Sequence, residues 1–265
     1  MKLEEIRTKI MGVDKHIKEE MGVRSHKLPI YQTTTWEFSD PHQMEDAFMG
    51  RAVLDVYGLF SSPNYRALEQ KLAILEEGEA AQICASGHMA IFATLMLLSK
   101  PGEAILAHEE LYGGTYPILN ILQKEGRVVC FMDMRDADTL RNFIHEQTTV
   151  IFLETPSNPS LQIIDIKKVA EEAKRFKSDI AVVVDNTFAT PFNQRPLTLG
   201  AHVVIQSLTK YLDGHGTNFG GAVISSNDTV QKLYPILSFA TVAPYVAWQL
   251  SESVIDFLQT MPIHN

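Results

Sequence analysis

A chain of 265 residues with 45% hydrophobic content has enough apolar material for one large α/β domain or two small ones. Its formal net charge of -9 and pI near 5.5 argue against nucleic acid and anionic membrane surfaces as partners, since both attract basic patches. The longest apolar run, Ala90 to Leu98, is too short to span a bilayer, and the N-terminus Met1-Lys-Leu-Glu-Glu-Ile6 lacks a signal peptide's apolar core, so a cytoplasmic protein with a small-molecule ligand is expected.

Residues 1–63 read as an arm with long loops. Leu28-Pro-Ile-Tyr-Gln-Thr-Thr-Thr-Trp36 and Tyr57-Gly-Leu-Phe-Ser-Ser-Pro-Asn64 are rich in Pro, Gly, Ser and aromatics and hold no steady period. Tyr65 to Leu75 is an amphipathic helix, with Asn64 expected as its N-cap and Gly78 as its stop. From about residue 80, short apolar runs at 80–84, 104–107, 128–131, 150–153, 181–184, 203–205 and 221–224 read as strands. Helical periodicity separates most of them, at 89–98, 116–124, 137–145 and 166–176, and a further helical stretch runs from 246 to 258. This alternation predicts an α/β fold with right-handed crossovers and a mostly parallel sheet covered by helices on both faces. Cys84 and Cys130 lie inside apolar runs and are expected to be buried free thiols, with no disulfide and no metal site.

Several of the predicted strands end in chemically useful side chains. Lys210 follows Ser207-Leu-Thr209 after one run, and Asp185 closes another. Both then lie at one sheet edge, where open α/β sheets bind ligands. A lysine there can form a Schiff base, and an aspartate can hold a pyridinium nitrogen instead of merely capping a loop. Ser86-Gly87-His88 joins a strand to a helix, as an ordinary βα turn or as a phosphate cradle to which Ser207 and Thr209 add hydroxyls. Tyr112, before Gly113-Gly114, either fills a core edge or stacks on a planar ring. Asn158, in Glu154-Thr-Pro-Ser-Asn-Pro159, is a turn residue or a hydrogen-bond donor to a cofactor oxygen. Five turns, each suited to a different part of one cofactor, are jointly improbable as ordinary turns.

Glu154-Thr-Pro-Ser-Asn-Pro159, Asp185-Asn-Thr-Phe-Ala-Thr-Pro191, Gln194-Arg-Pro-Leu197, Leu111-Tyr-Gly-Gly-Thr115 and Ser207-Leu-Thr-Lys-Tyr-Leu-Asp-Gly-His215 together resemble the signatures of the Cys/Met-metabolism enzymes that use pyridoxal 5'-phosphate (PLP). The resemblance runs from about Pro29 through nearly the whole chain. It implies the aspartate-aminotransferase-like fold (PLP fold type I) and a homodimer or homotetramer with shared active sites. It makes Lys210 the Schiff-base lysine, Asp185 the pyridinium partner and Tyr112 the stacking ring. Gly87, His88, Ser207 and Thr209 become phosphate contacts, Asn158 the contact to the phenolic oxygen, and Thr187 a residue against the ring. Tyr57 would reach the site of a neighbouring subunit. Glu154 lies in the same motif without an assigned role.

The sequence departs from the family pattern in two places. Leu59 stands where a phosphate-binding arginine follows the tyrosine of a Tyr-x-Arg element, and the C-terminal domain that supplies an arginine for the substrate carboxylate is expected to be absent from this chain. Residues 64–265 are accordingly expected to be the PLP-binding domain with the start of a linker. The expected activity is β/γ-elimination, a C–S lyase reaction on sulfur-containing or homoserine-derived amino acids. The rivals are γ-replacement, as in cystathionine γ-synthase or the O-acylhomoserine sulfhydrylases, and a truncated PLP-binding remnant without turnover.

Overall fold

A computed structural model of the chain describes residues 3–49, 51–52 and 54–264. Two helices, α1 (Leu3–Glu20) and α2 (Pro41–Phe48), precede α3 (Pro63–Glu76). Strand and helix then alternate as β1 (Ala80–Cys84), α4 (Gly87–Leu98), β2 (Ala104–His108), α5 (Thr115–Lys124), β3 (Val128–Met132), β4 (Thr148–Glu154), α6 (Ile166–Phe176) and β5 (Ala181–Asp185). The short α7 (Thr190–Asn193), β6 (Val203–Ser207), β7 (Gly221–Ser225), α8 (Asn227–Leu237) and α9 (Pro244–His264) complete the order. Among the described residues the strands form one sheet in the order β1-β7-β6-β5-β4-β2-β3. Only β7 runs against its neighbours, so the sheet is mostly parallel, as predicted.

Parallel strands buried on both faces read as unbroken apolar runs, and the pleat sends alternate residues to opposite sides. Val150 and Phe152 of β4, Val183 of β5 and Val203 and Ile205 of β6 pack on one face with α4, α5 and α8. Ile151, Leu153, Val182 and Val184 face α6, while Val204 faces α3 and α9. Each fully buried Val, Ile or Leu contributes about 1.5–3 kcal/mol, so the two layers together fix the register of the strands.

The structure departs from the sequence reading in four places. Leu3–Glu20 form a packed helix and not loop: Ile6, Ile10 and Ile17 of α1 are fully buried, and the buried Lys71 of α3 pairs with Asp14 at 2.8 Å. Ser62, not Asn64, caps α3, because the Asn64 side chain instead ties the arm by bonding Pro29 O and Tyr31 N. The helix ends on Glu77, which takes a positive φ of 56°, rather than on Gly78. The helix expected at 137–145 is a 3-10 turn, Ala137–Asn142, since the Asp136 cap closes only a tight turn. Of the two free thiols, Cys84 is buried, and its pKa is pushed up to about 12 by that burial; Cys130 is only half-buried. No helix among the described residues is long and apolar enough to cross a membrane.

Candidate active site

The strand parity that builds the core also aims the site. Glu154, Asp185 and Ser207 sit two residues beyond Phe152, Val183 and Ile205, so they continue the rows that face α4 at the C-terminal ends of three adjacent strands. A cavity of about 660 Å³ opens there, within the roughly 300–1,000 Å³ usual for small-molecule sites. Its walls include Gly87, His88, Tyr112, Glu154, Asn158 and Asp185. Thr187, Ser207, Thr209 and Lys210 also line it.

One wall is the N-terminus of α4. Ser86 caps the helix by accepting the Met89 N–H at 3.2 Å, and the N–H groups of Gly87 and His88 have no acceptor within the helix. The backbone here is packed too closely for side chains. A Cβ on Gly87 would stand 2.8 Å from Ser207 Cβ, and one on Gly221 would stand 2.1 Å from Ser86 O. Glycine at 87 therefore brings the helix start flush against the end of β6, with dipole and free N–H groups at the same place. Glycine at 114 makes room for the His88 imidazole, whose ring stacks on Tyr112 at 5.7 Å between centroids.

The floor is acidic. Asp185 is buried, and burial raises its carboxyl pKa above the usual aspartate range although Thr187 donates its N–H (3.0 Å) and its hydroxyl. Burial likewise raises Glu154, its register partner on β4, and the Asp185 charge raises it further. Two carboxyls side by side out of water favour a cation between or above them. Thr187 also accepts the Ser207 N–H at 2.8 Å, locking the end of β5 to the end of β6.

Lys210 follows in a tight turn, its N–H bonded to Ser207 O at 3.2 Å, and among the described residues its ammonium has no carboxylate partner. Beyond it, buried Asp213 accepts the N–H of Thr217 at 2.9 Å and the side-chain amide of Asn218 at 2.8 Å. This fixes the loop carrying Gly214 and Gly216, both at positive φ, along the cavity rim. Thr209 lines the cavity with its hydroxyl engaged by Gly220, accepting the Gly220 N–H at 3.1 Å.

Nine of the ten sequence-predicted site residues thus converge on one cavity, from turns far apart in the chain. Tyr57 does not: it lies in the arm, 41% exposed, away from this chain's own cavity. Leu59 is half-buried in the turn after Tyr57. The nearby arginines are committed elsewhere, Arg66 to Asp55 at 2.6 Å and Arg51 to Glu45 and Asp46. Among the described residues no arginine lines the cavity. Sequence reading missed Phe188, Tyr211, Phe219 and His264 on the lining and left Glu154 unassigned. For Phe188 and Tyr211 the signal was present, since they flank Thr187 and Lys210.

These residues fit PLP. The glycine-walled helix start suits a phosphate, Tyr112 offers a ring face, the buried Asp185 carboxyl oriented by Thr187 suits a cationic ring nitrogen, and Lys210 supplies an amine. The chain is 36% identical over 242 residues to an L-methionine gamma-lyase of Fusobacterium nucleatum subsp. polymorphum, covering 89% of this chain and 61% of that relative. It is 37% identical over 201 residues to an O-acetyl-L-homoserine sulfhydrylase of Leptospira meyeri, covering 76% of this chain and 45% of that one. Its fold superposes on the crystal structure of cystathionine gamma-lyase from Lactobacillus plantarum complexed with L-serine with a TM-score of 0.85 at 29% identity, covering 98% of this chain and 65% of that one. The chain thus spans less than two thirds of each of these relatives. Residues 8–255 match the family described as Cys/Met metabolism PLP-dependent enzyme, and the chain belongs to that family.

Proposed function

We propose that the chain contributes the PLP-binding half of a C–S lyase, one that eliminates at the β or γ carbon of sulfur-containing or homoserine-derived amino acids in the cytoplasm. The observation carrying this reading is the convergence of Lys210, Asp185, Tyr112 and the Gly87 helix start on one cavity. Bound PLP supplies an electron sink for the charge released at the substrate's α carbon. Lys210 anchors the cofactor through its ε-amino group and afterwards carries protons between substrate carbons as general base and acid. Asp185 holds the ring nitrogen in its cationic form, and Thr187 orients Asp185. Tyr112 covers one ring face. The N–H groups of Gly87 and His88, with Ser207 and Thr209, take the phosphate, and Asn158 takes the phenolic oxygen.

Residues 1–63 serve as the arm in this reading and 64–265 as the cofactor domain. Tyr57, exposed and outside the lining of its own cavity, reaches the site of a second copy in a homodimer or homotetramer. Relatives with lyase names favour elimination, while the sulfhydrylase relative supports γ-replacement as the second reading. Incubating the enzyme with thioether and O-acylhomoserine amino acids, with and without an added thiol, separates the two. Ammonia and keto acid released without thiol support elimination; thioether formed only with thiol overturns it.

A further inference from the structure

A buried carboxylate is costly unless it is bonded, and Glu154 is 5% exposed. Its Oε2 accepts the backbone N–H of Tyr112 at 2.7 Å, from the loop between β2 and α5. Tyr112 is the residue placed above on the cofactor's ring face. Apart from the His88 ring stacked on it, Tyr112 is little braced: its side chain is 42% exposed, and Gly113-Gly114 follows it without side chains. One carboxyl group at the end of β4 therefore ties the loop that carries Tyr112 to the sheet edge.

We propose that Glu154 is a positioning residue, which sets Tyr112 in a fixed relation to the cofactor ring by accepting its backbone N–H. It need not touch the reacting atoms. This inference rests on the proposed function, since it concerns the placing of residues against PLP.

The test is Glu154→Gln, which keeps the volume and turns one of the two acceptor atoms into a donor. The chain is loaded with PLP, and four quantities are read: PLP dissociation constant, induced circular dichroism of the bound cofactor's visible band, thermal midpoint, and the borohydride-trapped adduct at Lys210. The expected result for E154Q is a retained Lys210 adduct, a PLP affinity about tenfold weaker, as for loss of a charge-assisted hydrogen bond, and a strongly reduced or sign-changed induced dichroism. A purely structural role would lower the thermal midpoint and leave the dichroism of the bound fraction unchanged. Adding E154Q to Tyr112→Ala should weaken PLP binding by less than the product of the two separate losses. Wild-type affinity and dichroism in E154Q, or losses that simply multiply, would overturn the inference. Should E154Q fail to fold, hydrogen exchange in the wild-type chain decides: a protected amide at Tyr112 supports it, and free exchange there refutes it. Absence of an adduct at Lys210 in the wild-type chain would instead bring down the functional reading beneath it.

Discussion

The two ends of the sheet both carry concave surfaces, and their chemistry differs. At the C-terminal ends of β4, β5 and β6 lies the cavity of about 660 Å³ floored by two buried carboxyls. At the opposite end, between α6 and the turn before β6, lies a groove of about 480 Å³ bordered by Lys167, Glu171, Lys174, Ser178 and His202. The groove has charge and room, but Lys167, Glu171, Lys174, Ser178 and His202 all present exposed side chains. The His202 ring is occupied in accepting the Val182 N–H at 3.0 Å. Exposed charges interact through water and are worth little, whereas the carboxyls of the cavity stand where solvent cannot relax around them. What distinguishes the site is polar groups held out of water by several turns at once, more than volume or net charge.

The contrast predicts a steep difference in response to substitution. Lys210→Ala should show the largest effect, removing the PLP adduct entirely and lowering activity by about 10³-fold or more, the range of a lost covalent anchor and proton carrier. Asp185→Ala follows. An opposite charge within reach shifts a partner's pKa by about 1–3 units, so the cationic ring form should fall by roughly 10- to 1,000-fold, seen as a changed pH titration of the cofactor band. Asp179→Ala, at the other end of the same strand, where the side chain is exposed and 3.6 Å from Lys177, should leave that titration in place. Equal effects at 179 and 185 would erase the distinction between the two sheet ends.

A smaller effect is expected beneath the site, on the face turned to α3. Asn186 and Gln206 follow and precede Asp185 and Ser207 in the chain, so the pleat turns them away from the cavity, and both side-chain amides bond Glu76 Oε1, at 2.9 and 2.6 Å. Burial raises Glu76 from its ordinary 4.5 to about 7, against these two amides and Arg195. The folded chain therefore keeps a proton that the unfolded chain releases from about pH 4.5 upward. Stability conferred by the neutral carboxyl is present in full below that pH and is lost as pH rises through about 7. The loss is at most roughly 3 kcal/mol, and Glu69, also raised by burial to about 7, acts with the same sign. Glu76→Gln should flatten the decline, as measured by urea unfolding at pH 5, 6, 7 and 8; an unchanged slope would remove Glu76 from the account. The smallest effect belongs to the groove: Lys174→Ala should leave PLP affinity unchanged and stability within about 0.5 kcal/mol, while His202→Ala, which orphans the buried Val182 N–H, should leave PLP affinity unchanged and cost about 1–3 kcal/mol of stability.

The cavity was legible in the sequence because each contributing turn follows a strand buried on both faces. Such strands appear as unbroken runs such as Val150-Ile-Phe-Leu153 and Ala181-Val-Val-Val184, and their last residues mark the edge. Lys210, Asp185 and Tyr112 carry distinctive chemistry in their side chains and could be read directly. Glu154 could not, because it works on the backbone N–H of a residue 42 positions away, which no residue type displays. Glu76 was hidden for a similar reason, being one acid in a helix whose partners come from the turn after β5 and from β6. The α1 helix was missed although Ile6, Ile10, Val13 and Ile17 stand at alternating spacings of four and three, the period of a buried helical stripe. Its polar face, Lys- and Glu-rich, obscured the stripe among the loops that follow.

Reduction of the PLP-loaded chain with borohydride, followed by peptide mapping, tests the central claim most directly. The account predicts one pyridoxyl-modified peptide, the one containing Lys210, at the turn where Ser207, Asp185 and the start of α4 meet. Label on exposed Lys232, on Lys174 in the opposite groove, or on no single lysine would contradict it.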